Sequence, residues 1–389
     1  MTAAALPDHA AERLDRFHIE TPSWGFADSG TRFGIFKQPA AAKTLEHKLQ
    51  DAAHVHRLTG CCPTVALHVL WDFDLEQGLE AAAAQTCSLA EQAGIGIGAI
   101  NPNVFQDHAY RFGSLSSPLE DARRMAAEHL AESAKLAGLT GSSLVSLWFA
   151  DGTNYPGQGS FVERKHRMQQ GLRDLHAALP EGVGMLVEYK PFEPSFYHTD
   201  IADWGMAAAF ARHAGPHAKV LVDTGHHLPA TNIEHIVAFL IDEGLLGGFH
   251  FNDSKYADDD LTMGSIDPHQ LFRIFVEIVS AEHRAGRDLD IAYMIDQSHN
   301  LKPKIEAMLQ TADMAQTAML KALLVDQEQL AEARSTGDPL DAEEVLRDAF
   351  ETDVRPMLAG WRRDRNLPEH PVAAHRKSGY EAEAAEQRG

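Results

Sequence analysis

Lys219-Val220-Leu221-Val222-Asp223 is one of four short apolar runs in the second half of this chain, and each run ends at a side chain that can bind a metal ion. Nearly continuous apolar runs are typical of strands that are buried on both faces of a parallel sheet. Because a helical stretch follows each run, the pattern predicts consecutive β/α units. The runs cover residues 183–187, 219–222, 245–249 and 291–295, and the side chains that end them are Glu188, Asp223, His250 and Asp296.

Four weaker candidate strands come earlier in the chain, at residues 19–25, 64–70, 94–100 and 143–149. Eight parallel strands that alternate with helices predict an α/β fold, a closed (β/α)8 TIM barrel. The chain has 389 residues, of which 44% are hydrophobic, and this is enough for one barrel with extensions. We expect an N-terminal lead at residues 1–18, the catalytic barrel at 19–330, and a C-terminal helical extension and tail at 331–389. Residues 362–389 are charged and poor in large apolar side chains, which favours a mobile tail or an arm along a neighbouring subunit.

The four strand-end side chains are predicted to form a metal site. In a closed parallel barrel the carboxyl ends of all strands meet at one rim, and hard divalent cations bind rings of carboxylate and imidazole donors. Three further side chains lie on loops just past the strand ends and can form a second, more exposed site: His226, Asp258 and Asp260. An isolated acid at a strand end often caps the following helix instead. Four successive runs with the same kind of ending are hard to explain by capping, so two metal ions are expected.

The first half of the chain adds candidates for the same rim. His68 lies near the end of the second candidate strand and Trp148 near the end of the fourth, while Trp24 and Phe33 flank the first. A histidine in an apolar strand is often only a packed core residue, and the same holds for a strand-end tryptophan. Positions at a barrel rim, however, face the substrate, and aromatic rings there can pack against the apolar C–H face of a sugar.

Composition excludes several classes of function. The formal net charge of -22 argues against a nucleic-acid partner, because such proteins present a basic face. The three cysteines show neither a disulfide framework nor zinc-finger spacing, which is typical of a reducing compartment. The N-terminus lacks the pattern of a signal peptide, and no apolar stretch is long enough to span a membrane. We therefore expect a cytoplasmic enzyme that acts on a small molecule.

Taken together, these motifs resemble the L-rhamnose isomerase family of metal-dependent aldose–ketose isomerases, which have a xylose-isomerase-like barrel. The resemblance extends roughly from Trp24 to Val325. It depends on the combination of Glu188-Tyr189-Lys190-Pro191, Asp223-Thr224-Gly225-His226-His227, His250-Phe251-Asn252-Asp253 followed by Asp258 and Asp260, and Asp296-Gln297-Ser298-His299.

The resemblance implies a role for each candidate residue. The four strand-end ligands would hold a first, structural metal ion, and the His226 group a second, catalytic one. A sugar pocket would be lined by Lys190, His68, Trp71 and Trp148. The family forms homotetramers in which an aromatic side chain from a neighbouring subunit closes the site, and Phe33 is the matching position. The sugar would be L-rhamnose, converted to L-rhamnulose.

The ligand set is consistent with hydrogen transfer between C1 and C2 of a sugar. Oxygen and imidazole donors without a thiolate favour Mn²⁺, with Co²⁺, Mg²⁺ or Zn²⁺ as alternatives. Lys190 could stabilise negative charge on a substrate oxygen, His68 could relay a proton to the ring oxygen, and Asp296 is the base to test if a proton leaves C2. The main alternative is a ketohexose 3-epimerase or a hydroxypyruvate-type isomerase on the same barrel. An abasic-site nuclease is disfavoured by the acidic charge, and a non-enzymatic binding module by the two open metal sites.

Overall fold

The barrel consists of eight parallel strands whose order in the sheet is their order in the sequence. The computed structural model describes residues 6–31, 34–192, 195–298 and 301–389. The strands are β1 (Thr21–Pro22), β2 (Thr64–His68), β3 (Gly96–Asn101), β4 (Leu144–Leu147), β5 (Gly184–Glu188), β6 (Ala218–Asp223), β7 (Leu246–Phe251) and β8 (Ala292–Ile295). The ring closes because Glu20, just before β1, donates its N–H to the carbonyl of Tyr293 at 2.8 Å and accepts from the N–H of Ile295 at 2.9 Å. The predicted (β/α)8 barrel is confirmed.

A helix follows each strand. The lead contributes α1 (Asp8–Arg16), and the barrel helices are α2 (Leu45–Thr59), α3 (Leu79–Ala93), α4 (Glu120–Thr140), α5 (Phe161–Ala178), α6 (Trp204–Ala214), α7 (Ile233–Asp242), α8 (Pro268–Ala285) and α9 (Lys304–Leu323). Helix α8 shows how the sequence sets their ends. Asp267 caps its N-terminus by accepting from Gln270 N–H, Pro268 occupies the first turn, and Gly286 ends it in a left-handed conformation.

Two apolar cores hold the barrel together. The larger core lies between the strands and the helices and includes side chains from the lead helix and from the C-terminal helices. The smaller core fills the barrel interior beneath the rim and consists of Ala66, Ala99, Leu186, Leu221 and Met294. This small interior core forms the floor under the strand ends. Within the described ranges, no helix is both long enough and apolar enough to cross a membrane.

The first two strands are shorter than predicted. Strand β1 has only two residues because Pro22 has no N–H for the ladder, and the chain then turns into a 3-10 helix, Ser23–Phe26. Strand β2 ends at His68 and is followed by a helical turn, Val69–Asp72. Both changes bring Trp24 and Trp71 onto turns at the rim, outside the strands.

The prediction of a mobile tail over residues 362–389 is wrong. The C-terminal extension consists of helices α10 (Gln327–Thr336), α11 (Pro339–Glu351), α12 (Arg355–Asp364), α13 (Pro371–Ser378) and α14 (Tyr380–Arg388). The last helix is anchored by a buried ion pair of 2.8 Å between Arg388 and Asp51 on α2. A sparse apolar content does not reveal such polar anchors. The domain limits at residues 18 and 330 stay a prediction.

Candidate metal centre at the barrel rim

Glu188, Asp223, His250 and Asp296 converge at the carboxyl end of the barrel. Glu188 and Asp223 are the last residues of β5 and β6, His250 lies one residue before the end of β7, and Asp296 directly follows β8. One ligand atom of each lies within 4.8 Å of those of the others. The first three side chains are buried and Asp296 is partly buried. The predicted convergence of the four strand ends is confirmed.

The geometry and the donor set of this cluster fit a divalent cation. Nδ1 of His250 lies 3.3 Å from Oε2 of Glu188 and 3.6 Å from Oδ2 of Asp296. Neither ring nitrogen of His250 makes a well-directed hydrogen bond to any described residue, although both are buried. Buried polar atoms normally have a partner, so these nitrogens indicate a missing ligand. Three carboxylates and one imidazole without a thiolate suit Mn²⁺, Co²⁺, Mg²⁺ or Zn²⁺.

Charges in the cluster are strongly coupled. Burial alone would raise the pKa of Glu188, but the adjacent His250 and His226 outweigh burial and lower it to about 2. Burial would lower the pKa of His250, but Glu188 raises it to about 9. Burial raises the pKa of Asp223 to about 7, and the negative charges of Glu188 and Asp296 add to this effect. The charges of the three carboxylates and of the imidazoles of His226 and His250 therefore compensate one another only in part, and a bound cation would balance the remaining negative charge.

His226, Asp258 and Asp260 lie directly beside the four-residue cluster. Nε2 of His226 is 3.1 Å from Oδ1 of Asp258, and its Nδ1 is 3.1 Å from Oε1 of Glu188. Asp260 adopts a left-handed backbone conformation with φ of +46°. The loop that carries Asp258 and Asp260 folds back over the rim, because two backbone hydrogen bonds join its ends at Asp253 and Leu261. The Asp258 side chain is 17% exposed, against 2% for Glu188. The three residues are thus adjacent, as expected for a second site, and their role as metal ligands stays a prediction.

Asp223 is oriented by a polar residue that the sequence argument did not identify. Asn252, just past β7, donates its amide N–H to both carboxylate oxygens of Asp223, at 3.0 and 3.1 Å. The backbone N–H of Gly225 donates to Oδ1 at 2.7 Å. A Cβ atom at position 225 would lie 2.2 Å from Oδ1 of Asn252, so only glycine permits this close approach. Such outer hydrogen bonds fix the direction of a metal-ligating carboxylate.

Lys190 points its ammonium group into the same pocket. It forms an ion pair with Asp258, and its Nζ lies 5.1 Å from the centre of the Trp148 ring. Burial would raise the pKa of Asp258, but His226 and Lys190 lower it well below its usual range. Among the described residues that line the cavity, Lys190 is the one lysine or arginine, whereas four carboxylates line it. The imidazoles of His226 and His250, whose pKa values the neighbouring carboxylates raise, balance part of this negative charge.

The remaining wall of the pocket is aromatic. The His68 ring centre lies 4.7 Å from that of Trp24 and 4.0 Å from that of Trp71, and the centres of Phe105 and Trp148 are 4.9 Å apart. The cavity has a volume of about 210 Å³. It is lined by Trp24, His68, Trp71, Asn101, Pro102, Phe105, Ser146, Trp148, Glu188, Lys190, His226, His250, Asp258, Asp260 and Asp296. The structure thus places His68, Trp71, Trp148 and Lys190 around one pocket, and their roles in binding a sugar stay a prediction.

Several groups on this wall have unused hydrogen-bonding capacity. Ser146 Oγ, Trp148 Nε1 and His68 Nδ1 are buried and have no hydrogen-bond partner among the described residues. Burial is the main reason why the pKa of His68 falls to about 3, so the ring is neutral near pH 7. Neutral imidazole, hydroxyl and indole groups can bind the hydroxyl groups of an uncharged ligand.

Five contributors to the pocket were not assigned to it from the sequence: Trp24, Asn101, Pro102, Phe105 and Ser146. Trp24, noted only as a flanking residue, donates Nε1–H to Oδ1 of Asp296 at 2.8 Å. Asn101 ends β3, Ser146 lies inside β4, and Phe105 lies on the loop after β3. Asn101 could have been recognised from the sequence, because it is a polar residue at the end of an otherwise apolar strand. Phe33 and His299 lie outside the described residues, so the predicted role of Phe33 is untested.

The closed barrel and the cluster at its carboxyl rim define a TIM barrel with a candidate metal centre, and sequence comparison identifies its family. The pattern of the xylose isomerase-like TIM barrel family matches residues 65–289. The chain is 42% identical over 389 residues to a probable sugar isomerase of Rhizobium meliloti, a match that covers 98% of this chain and 88% of that protein. It is 40% identical over 386 residues to a probable sugar isomerase of Mesorhizobium japonicum, again covering 98% and 88%.

A solved L-ribulose 3-epimerase shares the fold, with a TM-score of 0.54 and 15% identity over 80% of this chain and 98% of that chain. This protein belongs to the xylose isomerase-like TIM barrel family.

Proposed function

We propose that this protein is a metal-dependent aldose–ketose isomerase, and that L-rhamnose and L-rhamnulose are its substrate pair. The observation that carries the proposal is the cluster of Glu188, Asp223, His250 and Asp296 on one side of a small cavity whose other side is aromatic. The relatives that share 42% and 40% of the sequence are named as probable sugar isomerases, which supports the same class of reaction.

The proposed cofactor is a pair of divalent ions, with Mn²⁺ as the first choice. The four-residue cluster would hold one ion, and His226, Asp258 and Asp260 would hold the other. When bound, such ions supply Lewis acidity that polarises the carbonyl of a sugar and orients its neighbouring oxygen atoms. The buried imidazole nitrogens of His250 and the surrounding carboxylates support this assignment.

The side chains of the pocket have distinct proposed tasks. Lys190, held by Asp258 and facing the cavity, would donate a hydrogen bond to a substrate oxygen and stabilise its negative charge. Neutral His68 would accept a hydrogen bond from the anomeric hydroxyl group and help to pass its proton to the ring oxygen. Asp296, whose Oδ1 is held by Trp24, would act as the base if a proton leaves C2.

The proposed substrates are uncharged monosaccharides. Among the described lining residues Lys190 is the one lysine or arginine, and it already pairs with Asp258, so this lining offers no second lysine or arginine to pair with a phosphate or carboxylate group of a sugar. The aromatic wall, which includes Trp71 and Trp148, would pack against C–H groups, and Ser146 and Trp148 offer unpaired groups for sugar hydroxyls.

We further propose a cytoplasmic homotetramer, in which Phe33 of a neighbouring subunit closes each pocket. Support comes from apolar side chains that are half or more exposed on loops at the carboxyl rim, where a neighbour would cover them. These include Phe196 after β5, together with Ile35 and Phe36 in the short strand Gly34–Phe36, which follows β1 and pairs antiparallel with Ser29–Thr31.

The proposal is tested by incubating Mn²⁺-loaded protein with a panel of aldoses and ketoses and identifying the products by chromatography. We expect L-rhamnulose from L-rhamnose, the reverse reaction from L-rhamnulose, and no conversion by Glu188→Gln. Glu282→Gln, which removes a buried carboxylate from an ion pair with Arg13, is the control and should remain active. Conversion of ketoses into their C3 epimers, or no conversion of any aldose, would contradict the proposal.

A further inference from the structure

Asp72 joins three segments of the chain behind the aromatic wall of the cavity. It is the last residue of the turn Val69–Asp72, and its side chain is fully buried. Oδ1 accepts from the ammonium group of Lys48 on α2 at 2.5 Å. Oδ2 accepts from Ser23 Oγ at 2.6 Å and from the backbone N–H of His68 at 2.8 Å. One carboxylate therefore connects helix α2, the 3-10 helix after β1 and the turn after β2.

The segments after β1 and β2 carry the aromatic wall. Trp24 follows Ser23 directly, Trp71 precedes Asp72 directly, and His68 lies between the two tryptophan rings, 4.7 Å from one centre and 4.0 Å from the other. Trp24 also donates to Oδ1 of Asp296 in the metal-ligand cluster. A displacement of the Asp72 carboxylate would consequently move three rings and release one restraint on a proposed ligand.

We propose that the buried Lys48–Asp72 ion pair positions the aromatic wall for substrate binding. Neither residue is among the described residues that line the cavity, so both act through their neighbours and are positioning residues. Lys48 is also buried, with 9% of its side chain exposed, and a buried ammonium group strongly favours a position beside its counter-charge. This requirement holds the carboxylate in place, and the carboxylate in turn holds Ser23 and the N–H of His68. The link to substrate binding rests on the proposed isomerase function.

The test uses 5-fluorotryptophan as a local probe, because the chain has five tryptophans. The fluorine resonances are assigned by single Trp→Phe variants, and spectra are recorded on metal-free, full-length protein. In Asp72→Asn the resonances of Trp24 and Trp71 should shift or broaden, while that of Trp204, which packs against Phe239 on the outer helices, should not change. Ser23→Ala removes one neutral hydrogen bond and no charge, and it should shift the Trp24 resonance even if Asp72→Asn does not fold.

The matched control is Glu282→Gln. It breaks a buried ion pair of 2.9 Å with Arg13, whose two side chains are 7% and 8% exposed, at a distance from the cavity. It should lower the melting temperature without shifting the Trp24 or Trp71 resonance. A purely structural role of Asp72 would give the same result as this control.

Kinetics provide the second readout, at a temperature well below the melting transition. Asp72→Asn should lower kcat/KM for L-rhamnose roughly tenfold or more, mainly by raising KM, because misplaced pocket walls weaken binding. Glu282→Gln should match the wild-type KM. Unchanged Trp24 and Trp71 resonances in both Asp72→Asn and Ser23→Ala, or an unchanged KM, would overturn the inference. If the wild type converts no sugar, the proposed function fails, and the fluorine spectra alone decide the positioning role.

Discussion

Replacing Glu188 by glutamine should destabilise the metal-free protein more than replacing Asp258 by asparagine. The Glu188 carboxylate is buried between two imidazoles, and its pKa of about 2 shows that the native environment favours its charge. Breaking such a buried ion pair should lower the free energy of unfolding by ~3 kcal/mol. This is the lower end of the usual range, because the glutamine amide group can still form hydrogen bonds. The Asp258 side chain is 17% exposed, so water partly compensates for its loss beside Lys190 and His226, and the replacement should cost about 2 kcal/mol.

These free energies translate into melting temperatures. An unfolding entropy of ~2.1 cal/mol/K per residue gives roughly 0.8 kcal/mol/K for this chain, so Glu188→Gln should melt about 4 °C below the wild type and Asp258→Asn about 2.5 °C below. Mn²⁺ at about a hundred times its Kd should add ~2.7 kcal/mol, or roughly 3 °C, to the wild type. Asp258→Asn should keep the stabilisation by the first ion, and Glu188→Gln should lose it.

The assay is differential scanning calorimetry at pH 7.5, with chelator and then with excess Mn²⁺, followed by turnover of L-rhamnose. Both variants should be inactive. An equal fall of the melting temperature in the two metal-free variants would refute the distinction between a buried strand-end cluster and a loop site. Retention of the Mn²⁺-induced rise in Glu188→Gln would show that this residue is not a ligand.

Three further outcomes are expected. Burial, together with the nearby His375 and Arg57, lowers the pKa of His54 to about 4 in the folded protein. As the pH falls, the unfolded chain therefore binds a proton at this residue at a higher pH than the folded protein does. The free energy of unfolding should therefore fall as the pH falls from 6.5 towards 4. Over the same pH range, the urea midpoint of His54→Gln should fall less than that of the wild type. L-Rhamnose converted in D₂O should carry little deuterium at C1 of the ketose at early conversion, read by NMR. The reason is that Glu188, Asp223 and Asp296 are in the ligand cluster, Asp258 is in ion pairs, and Asp260 is proposed as a ligand of the second ion. Substantial deuterium would favour proton transfer with Asp296 or a metal-bound hydroxide as the base. Phe33→Ala should raise KM in the tetramer without changing Mn²⁺ affinity measured by calorimetry, and sedimentation showing a fully active monomer would exclude the shared pocket.

The barrel and its strand-end ligands could be predicted because they follow from periodicity and topology alone. Parallel strands buried on both faces read as apolar runs, and closure forces their carboxyl ends together. Glu188, Asp223, His250 and Asp296 could therefore be assigned to one site although more than a hundred residues separate the first from the last.

Side-chain partners could not be predicted in the same way. That Asn252 holds Asp223 and that Trp24 holds Asp296 depends on directions set within a fraction of an ångström, which residue spacing does not encode. The length of β1 depended on a single proline. The order of the C-terminal segment depended on polar anchors such as Arg388 with Asp51, which a low apolar content hides.

The most direct test of the proposed metal centre is an anomalous difference map at the manganese edge from crystals grown with Mn²⁺ and L-rhamnose. We expect a strong peak within coordination distance of Glu188, Asp223, His250 and Asp296, and sugar density between this peak and the aromatic wall. A map without a peak at these four side chains, from crystals of protein that isomerises the sugar, would contradict the central claim.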